Sequence, residues 1–268
     1  MRNLNYSENW HETWKCSYPY DLLEIYGDTN VTGYAYAYEN RRNHTLELIQ
    51  KVAKQGAKIL DVAAAQGNFS LLLAELGYEV TWNDLRVELM DYVKLKWEYG
   101  DLSYASGNVL SQKFDSEFDV ILMGEVIEHV AHPDEFLQEI SKFLKPNGHI
   151  VMTTPNGEYF LNRLPKFSEC QDPSQFEAIQ FQPNSDGHIF LLHLDELEPI
   201  ASQSGLSVVE THVFTNPLTN GHLKTRYLLK LLPKSFVENF EKFTQCLPLF
   251  LRKKMHTGLA VLLTRKDR

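Results

Sequence analysis

The chain has 268 residues, of which 43% are hydrophobic, 23% charged and 12% aromatic. That is enough apolar side chain for one full core, and it excludes collagen, coiled coil, disulfide scaffold and intrinsic disorder. Twenty-six basic against thirty-five acidic residues give a net charge of −9, so the total does not point to a nucleic-acid partner.

The first forty residues hold nine aromatics, among them Trp10, Trp14, Tyr34, Tyr36 and Tyr38, about twice the average density of the chain. Such a segment either caps a domain or lines a pocket. From Ala57 strand-like and helix-like pieces alternate. Lys58–Val62 is a short apolar run leading into a small-residue turn, and Asn68–Leu76 spaces its leucines as a helix does. Tyr78–Trp82 reads as a second strand, Val87–Trp97 as a second helix, Leu102–Ser106 as a third strand and Phe118–Met123 as a fourth. Asp134–Leu144 reads as a helix stopped at Lys145-Pro146-Asn147-Gly148, with His149–Thr154 as the fifth strand. A Pro-, Asn-, Asp- and Gln-rich interruption follows at about 157–187. A helix near Asp195–Ser204, a strand at Ser207–Phe214, a basic helical stretch within 217–256 and a last strand in 257–268 complete the chain.

Strands alternating with helices imply parallel pairing through right-handed crossovers, hence a three-layer α/β sheet. The division expected is a cap over 1–45, a core over 46–216, the basic helical insertion and the final strand. Cys16, Cys170 and Cys246 form no C-x-x-C pair and read as reduced thiols. Met1–Tyr6 lacks the apolar run of a signal peptide. Leu259–Leu263, one of the longest apolar stretches, is far short of the roughly 20 residues needed to span a bilayer. The expectation is a cytoplasmic protein.

The first candidate site is the turn Asp61-Val62-Ala63-Ala64-Ala65-Gln66-Gly67-Asn68. Tiny residues beyond a strand let a ligand approach the backbone, and the next helix offers free N–H groups. Asp84, at the end of the second strand, is placed to accept both hydroxyls of a ribose.

Here the sequence resembles the class I S-adenosylmethionine-dependent methyltransferases. Asp61 matches the acid of their first motif and Gly67 its last glycine, whereas Ala63 and Ala65 replace the other two glycines and call for negative φ. A second block is more specific: Gly124-Glu125-Val126-Ile127-Glu128-His129-Val130, then Pro133, Phe136-Leu137, Leu144-Lys145-Pro146-Asn147-Gly148 and Thr153-Thr154-Pro155-Asn156. It is similar to the signature of the ubiquinone-biosynthesis-like O-methyltransferase branch, over about Lys58–Thr215. The resemblance implies a Rossmann-like sheet of seven strands, the last antiparallel, with S-adenosylmethionine as cofactor and S-adenosylhomocysteine as product. It implies that Asp61, Ala63, Ala65 and Gly67 line the methionine end, Asp84 takes the ribose, and Leu85, Asn108 and Val109 flank the adenine. Gly124 and Glu125 would lie beneath the sulfonium. Arg42 is near where some members place an arginine on the cofactor carboxylate.

Glu125, Glu128 and His129, at i, i+3 and i+4, would share one face of a helix. With His188 facing them, Glu128 would orient His129 as a general base. The alternative is a divalent cation held by Glu125, Glu128, His129 and His188. His188 and His193 stand in an H-x-x-F-x-x-x-E-L pattern, and His132 reads as a loop residue. The favoured reaction is methyl transfer to oxygen on a small-molecule or sugar-containing acceptor. Transfer to nitrogen or carbon, or a non-catalytic cofactor-binding module, are the alternatives.

Residues 222–254 carry eight basic against two acidic side chains in a chain that is acidic overall. One reading is a flap whose apolar face caps the pocket. The other is a surface for an anionic acceptor or a membrane.

Overall fold

The computed structural model describes residues 1–26, 33–114, 117–180 and 187–265. Six residues of the insertion expected at 157–187 (181–186) and the last three of the chain lie outside them. The strands are β1 (Lys58–Val62), β2 (Glu79–Trp82), β3 (Asp101–Tyr104), β4 (Phe118–Gly124), β5 (Leu144–Pro155), β6 (Leu206–Phe214) and β7 (Gly258–Arg265). They form one sheet in the order β3-β2-β1-β4-β5-β7-β6. The pairs among β1 to β5 are parallel, and β7 runs antiparallel to both β5 and β6. The expected seven-stranded sheet with an antiparallel last strand is therefore present.

Alternation along the strands sets the two core layers. Leu60, Val62, Ile121, Met123, Ile150 and Met152 face α5 (Pro133–Ser141) and α6 (Leu194–Gln203). Ile59, Val80, Val120, Leu122 and Val151 face α2 (Gly33–Val52) and α3 (Asn68–Glu75). Every second residue thus serves the opposite layer, as a pleated strand buried on both sides requires. The Lys145–Gly148 turn lies inside the span of β5 instead of only ending a helix. Leu144 pairs with Phe118 before it and His149 with Val120 after it, while Asn147 turns through φ +61°.

The division placed at 45/46 falls inside α2, a single continuous helix. Its second half supplies Leu48 and Ile49 to the core, whereas its first half carries Tyr38 and Arg41 to the site described below. The basic stretch is not one helix but α7 (Pro217–Asn220), α8 (Arg226–Leu229), α9 (Lys234–Gln245) and α10 (Leu249–Met255). Pro233 and Pro248 stand immediately before α9 and α10, where a proline cannot continue a preceding helix.

The aromatic segment packs as a cap through α1 (Glu12–Glu24). Trp10 and Trp14 meet Tyr92 of α4 (Leu89–Lys96) at ring-centroid distances of 5.8 and 5.6 Å. Beneath them Lys96 has no exposed surface, and its ammonium lies 2.8 and 2.9 Å from the two carboxylate oxygens of Asp21. It also reaches the Gln66 carbonyl at 3.0 Å and Asn68 Oδ1, while the Tyr92 hydroxyl donates to Asp21 at 2.7 Å. A buried charge left alone is far costlier than a pair. Asp21→Ala is therefore expected to lower the unfolding free energy by about 3–5 kcal/mol. Adding Lys96→Met should recover part of that loss, both read by urea titration.

Candidate active site

β1 and β4 are adjacent, but the chain leaves β1 toward β2 on one side and reaches β4 on the other, which opens a crevice beyond their carboxyl ends. A cavity of about 90 Å³ lies there, lined by the Asp61–Gln66 turn, Asn68, Gly124, Glu24, Tyr38 and Arg41. The turn is tight because both alanines lie in the left-handed region, Ala63 at φ +53° and Ala65 at φ +48°. The negative φ expected of alanine is not adopted. Gly67, at φ +73°, closes the turn, and a Cβ there would sit 2.7 and 2.9 Å from the Val93 methyls. Gly67 offers no side-chain cap, so the first N–H groups of α3 are free of one.

Asp61 is buried and accepts from Ser70 Oγ at 2.6 Å. Burial, reinforced by the Asp84 charge, pushes its pKa up to about 7. Asp84 is also buried; its Oδ2 accepts from the Ala65 N–H at 2.8 Å and its Oδ1 from the Arg86 N–H at 2.8 Å and Nε at 2.9 Å. Leu85 beside it is half-buried.

Two residues expected at the adenine lie in the loop after β3. Asn108 is exposed and accepts from the Leu110 N–H at 3.0 Å, the cap of a short turn, and Val109 is buried in the α5 and α6 layer of the core. The nearby loop is held instead by Asn83, whose amide donates to the carbonyls of Ala105 and Gly107 at 2.6 and 2.9 Å. The arginine at the crevice is Arg41, not Arg42. Arg41 lies 3.6 Å from Glu125 and 3.9 Å from Glu24, while Arg42 pairs with Glu39 along the helix. These carboxylates raise the Arg41 pKa against its burial. Its buried Nε has no partner among the described residues.

Glu125, Glu128 and His129 do not share a helix face. Glu125 sits outside the single 3₁₀ turn Ile127–His129, at φ +56°, and its carboxylate accepts from Thr153 Oγ1 at 2.9 Å. Glu128 is fully buried and accepts from Thr154 Oγ1 at 3.1 Å, and its Oε1 has no partner among the described residues. Burial, with Glu125 nearby, holds the Glu128 carboxyl well above the usual carboxylate range. The group that orients His129 is the Gly187 carbonyl, 3.1 Å from Nδ1. Because a carbonyl only accepts, Nδ1 carries the hydrogen in this contact, and in the neutral ring Nε2 is the nitrogen with the lone pair.

The Glu128 carbonyl accepts from the Ile189 N–H at 2.8 Å, which brings His188 against His129 with ring centroids 4.9 Å apart. Burial, with His129 beside it, lowers the His188 pKa. Glu128, His129 and His188 offer ligand atoms within 4.8 Å of one another; Glu125 is not in that group. His132 contacts Glu177 at 2.9 Å, and the His193 N–H donates to Glu196 Oε2 at 2.9 Å at the start of α6.

A methyltransferase-domain family model matches residues 35–211. The chain belongs to that family. Among its relatives, the mitochondrial ubiquinone biosynthesis O-methyltransferase of Schizosaccharomyces pombe is 35% identical over 104 residues, covering 37% of this chain and 38% of that protein. The ubiquinone biosynthesis O-methyltransferase of Caulobacter vibrioides is 32% identical over 181 residues, 62% of this chain and 66% of that one. The chain thus spans 38% and 66% of the length of these two relatives. In fold, the chain is similar to Haemonchus contortus phosphoethanolamine N-methyltransferase 2, solved with S-adenosyl-L-methionine. The TM-score is 0.52 at 18% identity, over 84% of this chain and 53% of that one.

Left-handed alanine costs about 1–2 kcal/mol, and replacement by glycine returns roughly 0.5–1 kcal/mol of that as unfolded-state entropy. Ala65→Gly should therefore raise the unfolding free energy by up to about 1 kcal/mol, whereas Gly67→Ala should lower it by about 1–3 kcal/mol through overpacking on Val93. The raised pKa of Asp61 means that the folded state binds more protons than the unfolded one between the ordinary aspartate value and about 7. Its stabilisation is thus complete at low pH and lost as pH rises through about 7. Asp61→Asn should flatten that part of the stability–pH curve.

Proposed function

We propose that the protein transfers a methyl group from S-adenosylmethionine to the hydroxyl oxygen of a small-molecule acceptor, with a sugar-containing acceptor as the narrower reading. The observation that carries this is the adjacency of the two halves: the small-residue turn after β1 and Gly124 at the end of β4 line one cavity, and Arg41 in that lining lies 3.6 Å from Glu125, the residue that starts the turn after β4. The residues suit the cofactor's methionine end. Arg41, with an unpartnered buried Nε, would take its carboxylate, and Asp61 and the uncapped start of α3 would hold its polar atoms. Asp84 would hold the ribose hydroxyls after giving up the Arg86 guanidinium.

S-adenosylmethionine supplies a methyl group on a sulfonium and leaves as S-adenosylhomocysteine. The chain's own work is in-line placement of the acceptor, exclusion of water and removal of one proton. His129 Nε2 would accept the acceptor's hydroxyl proton as the carbon–oxygen bond forms, with Gly187 fixing the tautomer and His188 closing the other side. Oxygen is favoured over nitrogen or carbon because such a base is what a hydroxyl needs, and because the relatives named above are O-methyltransferases.

A second reading has one observation in its favour, the unpartnered Oε1 of Glu128 beside two imidazoles. In that reading Glu128, His129 and His188 would hold a divalent cation, which would supply Lewis-acid polarisation of the acceptor hydroxyl.

Calorimetry should show binding of S-adenosylmethionine and S-adenosylhomocysteine but not NAD, and an acceptor screen should detect homocysteine-containing product. Failure to bind either sulfur ligand would overturn the reading. Asp84→Ala should weaken S-adenosylmethionine by roughly 2–4 kcal/mol. His129→Ala should cut turnover far more than cofactor affinity. Glu128→Gln separates the two readings. A base mechanism keeps most of its turnover and is indifferent to EDTA, while a metal mechanism loses activity in both.

A further inference from the structure

The basic unit between β6 and β7 is anchored by buried polar side chains and by Leu229 and Val237, which pack with Tyr36 of α2, and it presents many of its other apolar side chains to solvent. Buried Glu241 of α9 accepts from the N–H groups of Thr215 and Asn216 at 2.7 and 2.9 Å, and Thr244, also buried, contacts Asn216 and His256. The Asn156 amide ties α10 down through the carbonyls of Lys253 and His256, both at 2.7 Å. What remains outside is apolar. Leu231 is 81% exposed, Phe250 65% and Phe243 62%, and Leu223, Tyr227 and Leu228 are each at least half exposed. Of the apolar side chains read as a flap, Leu229 and Val237 are buried with Tyr36, while these are open. Single exposed hydrophobics are ordinary, but this many on one unit is an arrangement that water disfavours.

The same unit carries exposed cations. Lys224, Lys230 and Lys242 are exposed, with no carboxylate within ion-pair distance among the described residues. Arg226 lies over the Tyr227 ring, 5.0 Å from its centroid. Lys234, Lys253 and Lys254, by contrast, are paired with Glu39 or Glu158. Residues 222–254 have a net charge of +6 in a chain of −9, so the remainder carries −15. A surface of negative charge would therefore attract this unit and repel the rest, which sets one orientation.

We propose that this unit docks the protein peripherally on an anionic lipid bilayer. Leu231, Phe243 and Phe250 enter the interface, and Lys224, Lys230 and Lys242 lie at the headgroups. No helix of the described residues is long and apolar enough to cross a membrane, so the contact is with one face only. A protein partner could also bury apolar side chains. Unpaired lysines on the same unit, on a chain that is otherwise acidic, match a sheet of anionic headgroups better. The inference does not rest on methyl transfer, since vesicle binding requires no turnover.

The test is sedimentation of the full chain with phosphatidylcholine vesicles, with and without one quarter phosphatidylglycerol, and with S-adenosylmethionine affinity measured in parallel. Binding is expected only to the anionic vesicles and should fall steeply with salt. Leu231→Ser with Phe250→Ser should weaken partitioning by roughly 100-fold, as should Lys224→Ala, Lys230→Ala and Lys242→Ala together. All five positions are exposed, so the melting temperature and cofactor affinity should stay at wild-type values. Absence of binding, equal binding to both vesicles, or wild-type partitioning by the Ser double variant would each overturn the proposal. So would a solution dimer, seen in sedimentation velocity, that the Ser variant dissociates. Loss of cofactor binding in the wild-type chain would count against the transferase reading alone.

Discussion

The crevice depends on one ammonium group. Lys96 is enclosed by Asp21 of α1, the Gln66 carbonyl of the turn after β1 and the Asn68 side chain that opens α3. Burial lowers its pKa and the Asp21 charge opposes that shift, so pairing is what keeps such a group ionised inside. One side chain thereby joins three separate segments. With α1 held, Glu24 reaches Asn68 at 2.7 Å and Gln66 at 3.2 Å, and its other oxygen accepts from Tyr34 at 2.6 Å. Arg41 then lies between Glu24 and Glu125, linking the cap to the turn after β4. The charge pattern of the site follows from a contact that lies behind it.

The same constraint explains the backbone. Ala63 and Ala65 after β1 and Glu125 after β4 all take left-handed φ, and these are the two strand ends that flank the crevice. Strain of this kind persists only where surrounding contacts over-determine the conformation. Here the Ala65 N–H is held by Asp84, its carbonyl accepts from Trp82 Nε1 at 3.1 Å, and the Glu125 N–H donates to the Thr153 carbonyl at 2.9 Å. The turns are fixed before any ligand arrives, which is the arrangement that in-line transfer requires.

Elsewhere buried carboxylates add to apolar packing in seating the insertion. Glu241 satisfies two backbone N–H groups at the end of β6, and Glu158 receives Lys253 at 2.8 Å. Val237 and Leu229 pack with Tyr36, whereas Phe243 and Phe250 stay on the outside.

The alternation of strand and helix, the small-residue turn after Asp61 and the Glu125–His129 block were legible in the sequence, because each is a local pattern of side-chain period or residue type. Asp61 and Gly124 line the crevice, Glu128 and His129 lie in the turn that follows Gly124, and His188 packs on His129. Other features depended on contacts far apart in the chain. Nothing near Arg41 marks it over Arg42; the choice is made by which face of α2 turns toward Glu24 and Glu125. Asn108 became a turn cap because its oxygen found a nearer N–H, and the helix face drawn through Glu125, Glu128 and His129 failed because Glu125 is left-handed. The conformation of Ala63 and Ala65 could not be read locally either, since local sterics disfavour it. The sequence by itself determined the order of the elements and the chemistry available, because both follow from neighbouring residues. Only the tertiary structure decided which side chains share the crevice and which way the basic unit faces, because buried charges must be paired wherever the fold brings a partner within reach.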